Sequence, residues 1–134
     1  MILLDSDVLI DFVRRYPHAV QWFRSLKEPP IVPGYVVMEL IEGCKSKRDL
    51  DVTMKALAPM EVHWPDSEQC SRALADFARY HLSNKLGYTD ALIGELAVGL
   101  GTVLYTFNEK HFSLIPGLKT QRPYAKRTQK RKSG

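Results

Sequence analysis

The sequence contains few cysteines and lacks any long apolar run. Cys44 and Cys70 are its only two cysteines, and they fit no metal-binding spacing such as CxxC. The longest apolar-leaning stretch, residues 31–41, is broken by proline, glycine and glutamate, and it is far shorter than the ~20 residues that span a bilayer. No basic cluster precedes the first apolar residues, which predicts that no secretion signal is present. We therefore expect a cytoplasmic protein without a membrane span, with both thiols reduced and buried.

Acidic residues are absent from residues 119–134, and this absence divides the chain in two. The 134-residue chain has a net charge of +4, but seven of its 19 Lys and Arg side chains lie in that last stretch. The other 118 residues carry 12 basic and 15 acidic side chains, so the basic character belongs to the tail. A chain of this length is enough for one domain and too short for two. We predict a folded domain over residues 1–124 and a basic, disordered tail over residues 125–134.

Short apolar segments alternate with longer amphipathic segments along the chain. Strands are predicted at residues 2–4, 31–32, 61–64 and 102–105. Helices are predicted between them; Leu74 and Leu82 lie on the apolar stripe of one, over 67–83, and Thr89 caps the next. Because the strand segments ILL, IV and VLY are continuously apolar, we expect a short parallel sheet with helices on both sides, an α/β fold. The ligand site of such a sheet lies beyond the carboxyl ends of its strands.

Three acidic residues lie inside apolar segments. Asp5 follows the first predicted strand, Glu39 lies within a predicted helix, and Asp90 is near the start of another. A buried carboxylate without a partner costs several kcal/mol, and a divalent cation with oxygen ligands would relieve all three. Asn108 follows the last predicted strand and would reach the same sheet edge as Asp5. Taken singly, Asp5 could instead cap a helix, Asp90 could be a first-turn helix acid, and Glu39 could pair with an arginine or face water.

Four segments resemble, in order, the motifs of PIN-domain ribonucleases and of the VapC toxins in particular. They are LDSDVLID at residues 4–11, VMELIEG at 37–43, TDALI at 89–93 and TFNEKHFSLIPGL at 106–118. Together they span nearly the whole predicted domain. The resemblance implies a three-layer α/β/α fold and a Mg²⁺- or Mn²⁺-dependent endoribonuclease that is the toxin of a type II toxin–antitoxin pair. It also implies a homodimer that a cognate VapB-like antitoxin inhibits by placing a basic side chain in the acidic pocket.

The resemblance also assigns roles to residues of this sequence. The acidic residues of the family carry over to Asp5, Glu39 and Asp90. Asp5 and Asp90 would bind the metal most directly, and Glu39 would be a further ligand or would orient the attacking water. Asn108 stands where many relatives have a fourth acid. Its amide can hold a metal or a metal-bound water but adds no negative charge.

Other interpretations of the same residues stay open. A non-catalytic PIN-like module that binds RNA or protein is the alternative, because Asn108 replaces an acid and the tail is basic. A structure-specific DNA nuclease is a third option, because the family's fold resembles such enzymes. Thr106 would hydrogen-bond a site carboxylate or simply end a strand, and Asp7 is expected to cap the first helix.

Overall fold

A five-stranded parallel sheet forms the centre of the protein. A computed structural model describes residues 1–126, so residues 127–134 of the tail predicted over 125–134 lie outside the described residues. The strand order is β3-β2-β1-β4-β5, and every neighbouring pair is parallel. The strands are β1 (Ile2–Leu4), β2 (Ile31–Pro33), β3 (Glu61–His63), β4 (Val103–Tyr105) and β5 (Thr120–Gln121).

Seven helices connect the strands in the described residues. They are α1 (Ser6–Val13), α2 (Pro17–Ser25), α3 (Gly34–Glu42), α4 (Lys47–Leu57), α5 (Ser67–Asn84), α6 (Tyr88–Leu100) and α7 (Glu109–Phe112). Helix α1 contacts α2, α3 and α4, whereas α5 packs mainly on α6. The chain runs from β1 outward to β3 and then crosses back to β4, so right-handed connections place α1–α4 on one face and α5–α6 on the other. The predicted three-layer α/β/α fold is confirmed.

The core lies between the sheet and these helices. Leu3, Leu4 and Leu104 of the two central strands are fully buried, together with Val8 of α1 and Leu96 of α6. Strands β1, β2 and β4 are apolar on both faces because each face of the central sheet is covered by a helical layer. Asp5 is held at the end of β1 by this packing, which places it at the carboxyl edge of the sheet.

Strand β5 has no apolar pattern and was not among the predicted strands. Thr120 and Gln121 join the sheet through the backbone: the N–H of Leu104 donates to the carbonyl of Lys119, and the N–H of Thr106 donates to that of Gln121. An edge strand of two residues needs only these backbone bonds, so its side chains carry no periodic signal.

Helix α5 differs from the predicted apolar stripe. Leu74 and Leu82 are 67% and 92% exposed, so their predicted inward placement is wrong. The helix packs on α6 through Ala73, Phe77 and Tyr80, a narrower contact than the stripe implied. The start of α6 is also corrected, because its N-cap is a glycine that makes no side-chain cap bond, and the predicted cap Thr89 lies within the helix.

The structure describes the surroundings of both cysteines and the length and apolarity of the helices. Cys44 and Cys70 are unpaired, as expected, but each is half-buried rather than buried. Cys44 sits at the end of α3, where its Sγ lies 3.3 Å from the carbonyl of Leu40. Among residues 1–126, no helix combines the length and the apolarity that crossing a bilayer requires.

The difference between α5 and α6 predicts the outcome of two matched substitutions. Leu96→Ala in α6 should lower the free energy of unfolding by about 2–5 kcal/mol, because it leaves a cavity beneath the sheet. Leu82→Ala in α5 should change it by less than about 0.5 kcal/mol, because that side chain is exposed. Urea unfolding measures both, and equal losses would contradict the placement of α5.

Candidate active site

The carboxylate of Asp5 is the most buried acid at the carboxyl edge of the sheet. Asp5 is only 4% exposed and lies directly after β1. Its Oδ1 accepts a hydrogen bond from the N–H of Ser6 at 2.8 Å, which caps α1. Its Oδ2 accepts from the hydroxyl of Thr106 at 2.8 Å. Burial, with a further contribution from Asp7, raises the pKa of Asp5 to about 7. Asp5 therefore caps α1 through Oδ1, whereas Oδ2 faces Thr106 at the edge of the sheet.

Thr106 connects the two central strands at this edge. It follows β4, which pairs with β1, and it is completely buried. Its Oγ1 accepts from the backbone N–H of Asn108 at 2.9 Å and donates to Asp5. The N–H of Asn108 occupies a lone pair of the hydroxyl, so the single proton of the hydroxyl is directed to the carboxylate of Asp5. The predicted hydrogen bond between Thr106 and a site carboxylate is present.

Asp7 ties helix α1 to the loop that follows β4. Its Oδ2 accepts from the backbone N–H of Phe107 at 2.9 Å, while its Oδ1 is buried without a hydrogen-bond partner. Burial raises the pKa of Asp7, and the Phe107 N–H opposes that rise. Instead of the capping role expected for it, Asp7 joins two segments that lie 100 residues apart in the sequence. No local pattern could have revealed this partner.

Asp90 enters the site from the first turn of α6. Its carboxylate is partly exposed, and Oδ2 lies 3.6 Å from Nδ1 of His111 in α7. Burial raises the pKa of Asp90, and the nearby His111 acts in the opposite direction. The charge of Asp90 in turn contributes to the raised pKa of Asp5. His111 carried no pairing signal in the sequence, because its partner lies on another helix.

Glu39 reaches the site from the exposed side of α3. Burial raises its pKa first, followed by the charges of Asp90 and of Glu42 one helical turn away. Because the charge of Asp90 raises the pKa of both Glu39 and Asp5, Asp90 lies within electrostatic reach of each of the other two acids predicted from the sequence. The structure therefore brings Asp5, Glu39 and Asp90 to the same edge of the sheet.

Asn108 is placed differently from the three acids. Its side chain is exposed and makes no hydrogen bond within the described residues. Its contribution is the backbone N–H that orients the hydroxyl of Thr106. The residue is thus adjacent to the site through its main chain, and a role for its amide stays a prediction.

This arrangement matches a known family of domains. A family model described as PIN domain matches residues 2–118. The chain belongs to the PIN domain family. Ribonuclease VapC10 of Mycobacterium tuberculosis is 36% identical over 123 residues, which cover 89% of this chain and 91% of that protein. The resemblance drawn from the four motifs is confirmed.

Solved structures share the fold of this PIN domain. A toxin–antitoxin complex from Klebsiella pneumoniae contains a chain that is 27% identical, with a TM-score of 0.75; the match covers 92% of this chain and 98% of that one. DNA-bound VapBC from Salmonella typhimurium matches at 26% identity with a TM-score of 0.78 and the same coverage.

The acids of this PIN domain fit a hydrated divalent cation. Asp5 and Glu39 form no ion pair within residues 1–126, and the basic side chain nearest to Asp90 there is the imidazole of His111. No group of three His, Cys, Asp or Glu side chains in the described residues is arranged to hold an ion by itself. Mg²⁺ keeps several of its waters and needs only one or two carboxylates, so a wide set of acids suits it. Asp5 and Asp90 would hold the ion, with Glu39 beside it.

A second acidic cluster lies on another face of α6, and our sequence analysis missed it. Glu95 is buried, and its Oε1 accepts from Nε of Arg72 in α5 at 3.2 Å. Asp76 lies beside this pair, and burial and the neighbouring Glu95 raise its pKa to about 7. The signal was available, because Glu95 also interrupts an apolar run. Its arginine partner distinguishes this internal ion pair from the site acids.

The raised pKa of Asp5 makes the stability of the PIN domain depend on pH. The folded chain binds this proton more tightly than the unfolded chain, whose carboxyl pKa is about 3.8. The stability contributed by this group is therefore fully present below pH 3.8 and is lost as the pH rises through about 7. At 1.36 kcal/mol per pKa unit, the loss amounts to about 4 kcal/mol.

Removing the charge of Asp5 should therefore stabilise the domain when divalent ions are absent. At about pH 8 in EDTA, Asp5→Asn should raise the free energy of unfolding by at least about 2 kcal/mol. The gain should shrink towards zero near pH 4, where the folded chain carries a protonated Asp5. Urea unfolding at both pH values measures the difference.

Asp51→Asn provides a matched control, because it removes an equal charge from the exposed face of α4. It should change the free energy of unfolding by less than about 0.5 kcal/mol at either pH. A destabilised Asp5→Asn at about pH 8 would contradict the assignment of a costly buried charge.

Proposed function

We propose that this PIN domain is a Mg²⁺- or Mn²⁺-dependent endoribonuclease and the toxin of a type II toxin–antitoxin pair. The observation that carries the proposal is the buried carboxylate of Asp5, held by Thr106 and coupled to Asp90 at the carboxyl edge of a PIN fold. The relationship to Ribonuclease VapC10 over nine-tenths of both chains supports RNA as the substrate. A non-catalytic binding module has no need for three mutually repelling acids at one edge.

The residues of the site divide the work of phosphodiester hydrolysis. A bound divalent ion would supply Lewis acidity towards the scissile phosphate. Asp5 and Asp90 would hold that ion, and Glu39 would act as a further ligand or orient the attacking water for in-line attack. Thr106 fixes the orientation of the Asp5 carboxylate through its hydroxyl. Cleavage in this way would leave a 3′-hydroxyl and a 5′-phosphate.

The same acidic site would attract an inhibitor that carries a positive charge. The similar solved structures include a toxin–antitoxin complex and VapBC bound to DNA. We infer that a VapB-like antitoxin inhibits this chain by placing a basic side chain among Asp5, Glu39 and Asp90. A homodimer and a location in the cytoplasm stay predictions from the sequence, and light scattering of the purified protein tests the first.

Asp90→Asn tests the nuclease directly. Cleavage of a panel of RNAs that includes transfer RNA should depend on Mg²⁺ or Mn²⁺, stop in EDTA, and fall at least about 100-fold in the variant. The loss follows because the amide removes a charge from the ion's ligands. Asp51→Asn, on the exposed face of α4, should retain full activity.

Two results would contradict the proposal. One is metal-dependent cleavage that Asp90→Asn leaves intact. The other is the absence of cleavage across the RNA panel, which would favour the binding module. Labelled DNA of the same sequence, tested under the same conditions, decides between a ribonuclease and a DNA nuclease.

A pair of substitutions at Thr106 tests how Asp5 is oriented. Thr106→Val keeps the shape but leaves the Asn108 N–H and the Asp5 Oδ2 without their partner. We expect about 10–100-fold slower cleavage and a higher Mg²⁺ concentration for half-maximal activity. Thr106→Ser keeps the hydroxyl and should remain within about threefold of the unchanged chain. Equal activity of the Val and Ser variants would show that the hydrogen bond has no role.

A further inference from the structure

The chain continues past β5 as an ordered arm, residues 122–126, that begins beside the active site. The carbonyl of Gln121 accepts from the N–H of Thr106 at 3.0 Å, so the arm leaves the sheet next to the residue that holds Asp5. Parallel pairing of β5 with β4 places this exit at the same carboxyl edge as the site acids.

The arm is fastened to α1 at a single carboxylate oxygen. Oδ2 of Asp11 accepts from the hydroxyl of Tyr124 at 2.8 Å and lies 3.1 Å from Nζ of Lys126. Asp11 is one helical turn beyond Asp7, so the arm runs along the helix that begins at the site. The predicted domain boundary at residue 124 stays a prediction, and Lys126 lies two residues past it.

Two cations of the arm lie on one aromatic ring. The guanidinium carbon of Arg122 is 5.2 Å from the centroid of the Phe107 ring, and Nζ of Lys126 is 4.6 Å from it. The backbone N–H of Phe107 is the donor to Asp7, so this ring is connected directly to the site. Arg122 and Lys126 are both exposed. A guanidinium has five N–H donors and an ammonium has three, so Arg122 and Lys126 each keep donors beyond those that the Phe107 ring and Asp11 occupy.

A polyanionic substrate has to approach a cluster of acids. Asp5, Asp7, Glu39 and Asp90 repel phosphates, and one bound ion offsets only part of that charge. Positive side chains beside the cluster would hold the flanking phosphates while the scissile one meets the acids. The arm supplies two such side chains, and it is held beside the site through the backbone bond of Thr106 to Gln121 and through the ring of Phe107.

We propose that Arg122 and Lys126 form a binding site for the RNA backbone beside the active site, occupied by phosphates that flank the scissile bond. The inference rests on the proposed ribonuclease function and extends it to substrate positioning. Both residues bind substrate without touching the reacting phosphate. Tyr124 and Asp11 hold the arm in place for them.

Direct binding of RNA tests this site without any need for cleavage. The probe is a short fluorescein-labelled single-stranded RNA, with anisotropy measured in EDTA so that the RNA stays intact. The double variant Arg122→Gln/Lys126→Gln should weaken binding about tenfold near physiological salt. The slope of log affinity against log salt concentration should become shallower by about 1.4, because two phosphate contacts are lost.

Arg24→Gln/Lys27→Gln is the matched control. It removes one arginine and one lysine from the end of α2 and the loop that enters β2, at the opposite, amino edge of the sheet. Both side chains are exposed. The control should change the affinity by less than about twofold and leave the salt slope unchanged. Equal losses in the two double variants would overturn the proposal, since they would reflect overall charge alone.

Cleavage kinetics and a single variant distinguish loss of RNA binding at the arm from damage to the rest of the protein. In cleavage assays, the arm variant should raise KM with kcat within about threefold of the unchanged chain. Arg122→Gln alone leaves both donors to Asp11 in place, so it tests the site if the double variant fails to fold. Unchanged RNA affinity in Arg122→Gln and in the double variant would overturn the proposal, as would a loss of antitoxin binding alone. If the chain cleaves no RNA, the anisotropy result still decides whether the arm binds it.

Discussion

The hydrogen bond from the hydroxyl of Thr106 to Oδ2 of Asp5 joins the two central strands where the active site begins. It is possible only because β1 and β4 are adjacent and parallel, although the two residues lie 101 positions apart. The bond keeps a buried carboxylate oriented, and the N–H of Asn108 keeps the hydroxyl oriented in turn. The position of the fourth motif relative to the first depends on this short chain of donors and acceptors.

Electrostatic cost is the second feature of the site. Burial raises the pKa of Asp5, Glu39 and Asp90, and the charge of Asp90 adds to the rise in the other two. A fold optimised for stability alone would not keep these charges together. Their proximity has a physical explanation if a cation shares them, and the same charges account for the attraction of a basic antitoxin side chain.

Glu95 shows why an acid in an apolar run is an ambiguous signal. It interrupts its segment much as Asp90 does five residues earlier, yet Arg72 from α5 neutralises it inside the protein. Asp90 faces a different direction on the same helix and meets the imidazole of His111 instead of an arginine. The sequence contains both acids, but whether a cationic side chain lies opposite depends on how α5 packs against α6.

The sequence by itself determined the apolar strands of the sheet, the three acids and the family. Apolar periodicity and motif spacing are local properties of the chain, so they can be recognised without the fold. Tertiary structure alone decided the rest. Strand β5 forms through backbone bonds, Leu82 is exposed because α5 packs only narrowly, and the backbone N–H of Asn108 donates to the hydroxyl of Thr106. The partners of Asp7 and Asp11 lie 100 and 113 residues away. Contacts at such separations follow from the folded path of the chain, which no local pattern records.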